Sequence, residues 1–382
     1  MKYRLCAILS ALACGMISSG SAVALNTNEI PNISEQELLY YLTNIKDAQG
    51  SAGGYKFDIH DDQGFVMDSP SIIQLTNQPY KYAAVYHTGC QPDLSQTDAS
   101  ICNRPTSSDI RYKLFVAGSN DLLNWKRIKL LADNADMPRI GRVSNSTWLV
   151  VAHEQWEGAE AKSASPSKVS YRLYYTEEDL LNGQSRSVWK SPIFQKNTFN
   201  LNGTPSIYDM NLSLYNGYLG VNGQFGFHYY DGSYDRNAVT TIERLFNPAA
   251  QARNFPSVAT AYNQLFEARG VKGNLGQRDT LVTTNARYNI QEGNVLSDIN
   301  DFGGWRVWLY KFGDGYNYPT GNGTVTKIEP QTPQGSTSFG NPSVTIVDRP
   351  SGTGKAIVVS YMIFSEGAKP GEAGPVIYYF NI

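Results

Sequence analysis

The stretch that decides the fold is residues 68–89, DSPSIIQLTNQPYKYAAVYHTG. A Pro-Ser-Ile opening starts a short apolar strand, a polar turn reverses the chain, and a second apolar strand ends on His87. The same unit returns at 137–154 (MPRIGRVSNSTWLVVAHE), 204–224 (TPSIYDMNLSLYNGYLGVNGQ) and 341–363 (NPSVTIVDRPSGTGKAIVVSYMI). A further copy at 278–292 (RDTLVTTNARYNIQE) lacks the proline. Paired strands that cannot bury both faces alone must stack on their neighbours. Five such copies predict an all-β chain folded as a five-bladed β-propeller.

Composition agrees. The 382 residues include Tyr 25, Phe 15 and Trp 6 with Gly 34 and Pro 18, and only 17% are charged. Aromatic side chains suit pleated surfaces, and Gly and Pro punctuate turns. A formal charge of −2 and the absence of any Lys/Arg cluster argue against a nucleic-acid surface.

Residues 1–24 read as a signal peptide. Lys2 and Arg4 precede the apolar run LCAILSALACGMI, and Ala22-Val23-Ala24 supplies small residues for cleavage before Leu25. The run is too short for a membrane span, which needs roughly 20 apolar residues, and a lipoprotein reading at Cys14 leaves too little apolar sequence before it. The expectation is an exported protein, periplasmic or extracellular, with no membrane span after cleavage. The remaining cysteines, Cys90 and Cys102, flank a polar loop. In an oxidising compartment a disulfide between them would stabilise by roughly 2–3 kcal/mol. Metal ligation is the rival, but no second Cys or His pair stands at zinc spacing.

Residues 25–54 read as a helical segment and 55–382 as the propeller. In SEQELLYYLTNIKDAQG, Ser34 and Glu37 form a capping box, and Leu38, Tyr41, Leu42 and Ile45 share one face. The strand at 55–60 is expected to complete the last blade and leave no open edge between the chain ends. A helical insertion is expected over 254–270, burying Val258, Tyr262, Leu265, Phe266 and Arg269 and ending at Gly270. In the third blade, 205–210 and 218–222 are read as the first two strands.

The turn Ser119-Asn120-Asp121-Leu122-Leu123-Asn124-Trp125 carries a family signal. Ser-x-Asp-Leu-x-x-Trp between third and fourth strands, together with the Pro-Ser-Ile openings, resembles the five-bladed propeller glycoside hydrolases of families 43, 62, 32 and 130. Physically, Asp121 caps the turn and Trp125 packs between blades. The resemblance implies carbohydrate as the partner and acids on the inner strands of the first three blades, placed as Asp-Pro, Asp-Pro and Glu-Gly-Pro. Here Asp68-Ser69-Pro70 and Asp136-Met137-Pro138 each set the acid one residue further from its proline, and Asn202 stands where the glutamate belongs. On a flat strand that displacement turns a side chain to the opposite face.

Glycoside hydrolysis needs two carboxyl groups flanking one bond. The candidates are Asp68 as base or nucleophile, Glu154 or Glu292 as acid, and Asp279 or Asp136 as the group tuning the acid. Polar residues at the same strand ends, His87, Asp136, His153, Gln224, His228, Arg278 and Asn341, are candidate substrate contacts. Each histidine has a hydrogen-bonded structural role as its alternative. Arg278 and Asp279 could equally form an ion pair in the channel. Trp156, Tyr229 and Tyr230 are candidate platforms for a sugar face, and Trp305 and Tyr316 compete with core packing. No cofactor is specified; the resemblance allows a structural metal ion in the channel. Nucleophile-elbow, zincin, phosphate-loop and dinucleotide motifs are absent, as is the repeated Asp-box of sialidases. Two other readings stand beside the hydrolase: a non-catalytic carbohydrate-binding propeller and an envelope protein-interaction platform.

Overall fold

The computed structural model describes residues 32–90, 111–143, 146–156, 167–190, 206–207, 212–215, 218–221, 224–231, 233–241, 246, 257–313 and 321–382. The expected leader at 1–24, Cys102, Asn202 and Tyr316 lie outside these. Within them, none of the helices is long and apolar enough to cross a membrane.

Five four-stranded antiparallel sheets follow one another along the chain. The first holds Asp68–Gln74, Tyr82–Cys90, Arg111–Ser119 and Lys126–Asp133, and the second Ala135–Arg142, Leu149–Trp156, Ser167–Tyr174 and Ser187–Lys190. The third holds Ser206–Ile207, Gln224–Tyr230, Asp235–Thr241 and Ser257–Val258, and the fourth Leu275–Val282, Arg287–Asn294, Trp305–Lys311 and Thr324–Ile328. The fifth pairs Phe339–Asp348, Lys355–Ile363 and Gly374–Asn381 with Gly53–Lys56 from the start of the described chain. The first strand of the first sheet lies beside those of the second and fifth, and the first strand of the fourth beside those of the third and fifth. This is a propeller arrangement, with the first strand of each sheet innermost.

The closing strand arrives as expected, in the register Gly53↔Phe380 to Lys56↔Ile377. It begins and ends a few residues earlier than 55–60. Apolar side chains fill the seams between sheets. Ala83, Val85, Leu149 and Val151 pack between the first and second. Ile59, Ile72, Trp125, Val358 and Ile377 join the first to the fifth. Trp125 is buried there, with its Nε1–H donating to Leu122 O at 2.9 Å, while Asp121 Oδ1 accepts from the Leu123 and Asn124 N–H groups.

The N-terminal helix α1, Glu35–Thr43, carries the expected capping box: Ser34 Oγ accepts from Glu37 N–H while the Glu37 carboxylate accepts from Ser34 N–H. It stops at Thr43, about two turns sooner than the expected stretch, and a 3₁₀ turn, Ile45–Asp47, takes over. Leu38, Leu42 and Ile45 sink into the seam of the fourth and fifth sheets. The hydroxyls of Tyr361 and Tyr378 both donate to Leu42 O at 3.2 Å, pinning the helix end. A short helix α2, Glu177–Leu181, occupies the turn of the second sheet.

Two expectations are corrected. The insertion is not one helix over 254–270: Val258 belongs to a strand, helix α3 is Thr260–Glu267, and Arg269 is exposed. Asn263 takes the buried place instead, accepting from Asn237 N–H at 3.0 Å and donating to its carbonyl at 3.2 Å. In the third sheet, Tyr218–Val221 is not the second strand. It pairs with Leu212–Tyr215 as a separate two-stranded sheet, and Gln224–Tyr230 pairs with the inner strand.

The inner strands share one irregularity. In the first sheet the pairing Asp68↔His87 is followed by Ser71↔Val85, so three steps on one strand match two on the other. The second sheet repeats this from Asp136↔Glu154 to Arg139↔Ala152, and the fifth from Gly340↔Met362 to Ser343↔Ser360. Each is a one-residue β-bulge placed at the residue before the proline. Ser69, Met137 and Asn341 take left-handed conformations there, with φ of 50°, 46° and 46°. That region is unfavourable for side-chain-bearing residues, and a following proline narrows it further. The bulge restores what the sequence spacing took away. The extra residue turns the strand back by one position, so Asp68 shares the face of Ser71 and Val85.

Candidate functional site

The bulges hold a polar cluster where the inner strands begin. Asp68 is its most accessible carboxylate, with 18% of its side chain exposed. It accepts from Ser69 Oγ at 3.0 Å and from Asn341 Nδ2 at 2.9 Å, and its Oδ2 lies 3.3 Å from His87 Nε2. His87 is buried against Tyr112, ring edge to face at 5.0 Å. Its Nδ1 accepts the Met137 N–H at 3.2 Å, so the ring proton sits on Nε2 and points at Asp68. Burial alone would raise the pKa of Asp68. The His87, Asn341 and Ser69 partners outweigh it and hold the carboxyl below the ordinary carboxylate range.

Glu292 reaches the same cluster from the fourth sheet. Its Oε2 accepts the backbone N–H of Asn341, the residue whose side chain holds Asp68. Only a few bonds separate the backbone N–H of an asparagine from its amide, so the two carboxylates lie within about 10 Å of one another. The Glu292 carboxylate rests on glycine. A Cβ on Gly340 would fall 2.5 Å from Oε2 and 2.5 Å from the Phe364 ring, and a Cβ on Gly276 would meet Oε1. Phe364 therefore stands beside Glu292, and Phe302 and Trp305 continue the wall at ring separations of 5.2 Å and 6.0 Å. Phe302 is exposed and Trp305 buried.

The other candidates fall elsewhere. Asp136 and Glu154 face one another across the second sheet, both closed to solvent. His153, expected to touch substrate, is 0% exposed. Its Nδ1 is 2.8 Å from Glu154 O and its Nε2 accepts from Arg172 Nε at 3.0 Å, which leaves no ring atom for a ligand. Burial, then the Arg172 charge, push its pKa down to about 3, so the ring is neutral. Asp279 finds a partner in another sheet. Arg139 of the second sheet crosses to it, Nε to Oδ1 at 3.8 Å, and the same guanidinium donates to Pro138 O and Pro342 O. Asp279 also accepts from Ser343 Oγ, Val344 N–H and Thr280 N–H. Of Trp156, Gln224, His228, Tyr229, Tyr230, Arg278 and Cys90, only the backbone is described.

Among the described residues the channel carries a cation of the protein's own. The buried Arg139 guanidinium already supplies positive charge between the second, fourth and fifth sheets. No group of three or more His, Cys, Asp and Glu gathers among the described residues.

Sequence reasoning missed Ser69 and Met137 as donors, the glycine cradle and the Phe364 wall. Their signal is faint but present: a left-handed bulge before proline leaves Ser69-Pro70, Met137-Pro138 and Asn341-Pro342 at matching points of three repeats.

The architecture is a β-propeller, and its fold is similar to those of solved glycoside hydrolases. Among solved structures, one described as "Glycoside hydrolase" superposes with a TM-score of 0.50 at 10% identity, over 91% of this chain and 96% of that one. An exo-1,5-alpha-L-arabinanase from a bovine ruminal metagenomic library gives 0.49 at 8% identity, over 84% and 95%. A family 43 endo-arabinanase from Bacillus licheniformis gives 0.47 at 10%, over 85% and 96%. At such identities the likeness speaks for fold alone. No protein-family model and no curated protein matches the chain.

Proposed function

We propose that this protein is an exported, five-bladed propeller that hydrolyses glycosidic bonds of a poly- or oligosaccharide bound at the open end of its channel. The observation that carries this reading is the pair Asp68 and Glu292, joined through Asn341 on converging inner strands. Asp68, kept ionised by its donors, acts as base or nucleophile, and Glu292, more deeply buried beside an aromatic ring, acts as acid. Phe364 and the exposed Phe302 offer apolar faces to a sugar ring. Residues 1–24 direct export, and Cys90 pairs with Cys102 in the oxidising compartment that follows.

The test is product release from a panel of polysaccharides and aryl glycosides, furanosides included, by the mature protein and its Asp68→Asn and Glu292→Gln variants. Turnover lost in both variants with the fold intact supports the reading. Turnover untouched by either overturns the residue assignment.

One observation favours a second reading. Asn202 stands where the resemblance expects the third blade's acid, and an amide cannot deliver a proton. A funnel that kept its pocket and lost its acid would bind carbohydrate without cleaving it. Saturable sugar binding in calorimetry with no turnover on any substrate selects that reading.

A further inference from the structure

We infer that Asn341 is a positioning residue: from a sheet that supplies no acid of its own to this cluster, it holds Asp68 with its side chain and Glu292 with its backbone, and so sets the spacing of the two carboxylates. This rests on the reading of that pair as the working acids, and the test below separates the two.

Conformation narrows what can stand at this position. At φ 46° the residue lies in the left-handed region, which Gly, Asn and Asp enter most readily. Glycine offers no side-chain donor. Aspartate would set a third carboxylate against two others. Asparagine combines tolerance of this backbone with a short side-chain N–H group to give. A carboxylate only accepts, so the NH₂ end of the amide must face Asp68 Oδ1, 2.9 Å away.

The backbone half of the arrangement is a repeated device. In the second sheet the bulge residue Met137 turns its N–H onto His87, in the last half of the second strand of the sheet before it. In the fifth sheet Asn341 turns its N–H onto Glu292, near the end of the second strand of the sheet before it. The strained backbone at both places aims a donor at the preceding sheet's second strand. Gly340 completes the arrangement, because any larger residue would drive Glu292 and Phe364 apart.

Asp68 is thus the point where this device can be read directly. Among the described side chains, the charged and titratable groups gathered in this cluster include His87 and Tyr112 of its own sheet, Asp136 and Arg139 of the second, and Asp279 and Glu292 of the fourth. Asn341 is the fifth sheet's contact with it.

The experiment is a carboxyl-¹³C titration of aspartate-labelled protein, with the Asp68 resonance assigned from Asp68→Asn. Asn341→Gly keeps the left-handed backbone and the N–H to Glu292 and deletes only the amide; Asn341→Asp replaces the donor with a charge. The Asp68 midpoint should rise by about half a unit to one unit in Asn341→Gly and by more than one in Asn341→Asp. Hydrolysis, where present, should show the acid limb of its pH profile moving by the same amount, with kcat falling more than KM changes. An Asp68 midpoint unchanged in both variants, with circular dichroism and melting preserved, overturns the inference. If Asn341→Asp fails to fold, Asn341→Gly decides alone, since glycine relieves the strain. A shifted midpoint in a protein without turnover on any substrate sinks the hydrolase reading and leaves the positioning role standing.

Discussion

The first and second sheets begin alike and end in opposite chemistry. Both open on Asp-x-Pro, both carry a one-residue bulge there, and both set the acid opposite the last half of the second strand. Yet Asp68 meets solvent and is held by Ser69, His87 and Asn341, whereas Asp136 is shut in opposite Glu154. The backbone device is the same, so it does not make a site by itself. The neighbours do. A hydroxyl at the bulge and an imidazole across the strand leave one acid ionised and reachable, while a methionine and a second acid leave the other enclosed.

The sharpest way to break this contrast is Asp68→Asn. If the first sheet holds the working acid, kcat should fall by about 10³-fold or more with the melting temperature little changed. Gly340→Ala comes next. The added methyl displaces Glu292 without touching Asp68, and kcat should drop on the order of 10²-fold. A steady-state assay that finds no loss would place the acid elsewhere.

The second sheet should announce itself through stability. His153 titrates near 6.5 when unfolded and at about 3 when folded. The unfolded chain therefore binds more protons between those values, and stability is lost as pH falls through that window. Between about pH 7.5 and about pH 5 the loss should be about 2 kcal/mol, and His153→Gln should flatten it in denaturant melts. The smallest effect belongs to Ser69→Ala, which removes one of the donors to Asp68. The acid limb of activity should move up by a few tenths of a pH unit, and stability by under about 1 kcal/mol.

Much of this was open to sequence reading, for identifiable reasons. The paired-strand repeat follows from local apolar alternation, the capping box from Ser34 and Glu37, and the closing strand from the need to cover an edge. The third sheet misled because Tyr218–Val221 and Gln224–Tyr230 are both short apolar runs, and only their partners tell them apart. The bulges were hidden because a left-handed residue before proline is held by its surroundings rather than by its own preference. Arg139 could be picked out as a polar residue on an inner strand, but not its reach to Asp279, since those residues meet across the channel and share no local pattern. Asp68 and Glu292 could each be named; their link through Asn341 belongs to three sheets at once.

The strand Gly53–Lys56 has a consequence for how the molecule is made. It precedes every other described strand in the chain, and its partner, Gly374–Asn381, follows them all. Helix α1 waits with it, because the seam that buries Leu38 and Leu42 is built largely from the fourth and fifth sheets. Every strand between these two must therefore be synthesised before the ring can shut. Until then this strand lacks its partner and the last sheet keeps an open edge.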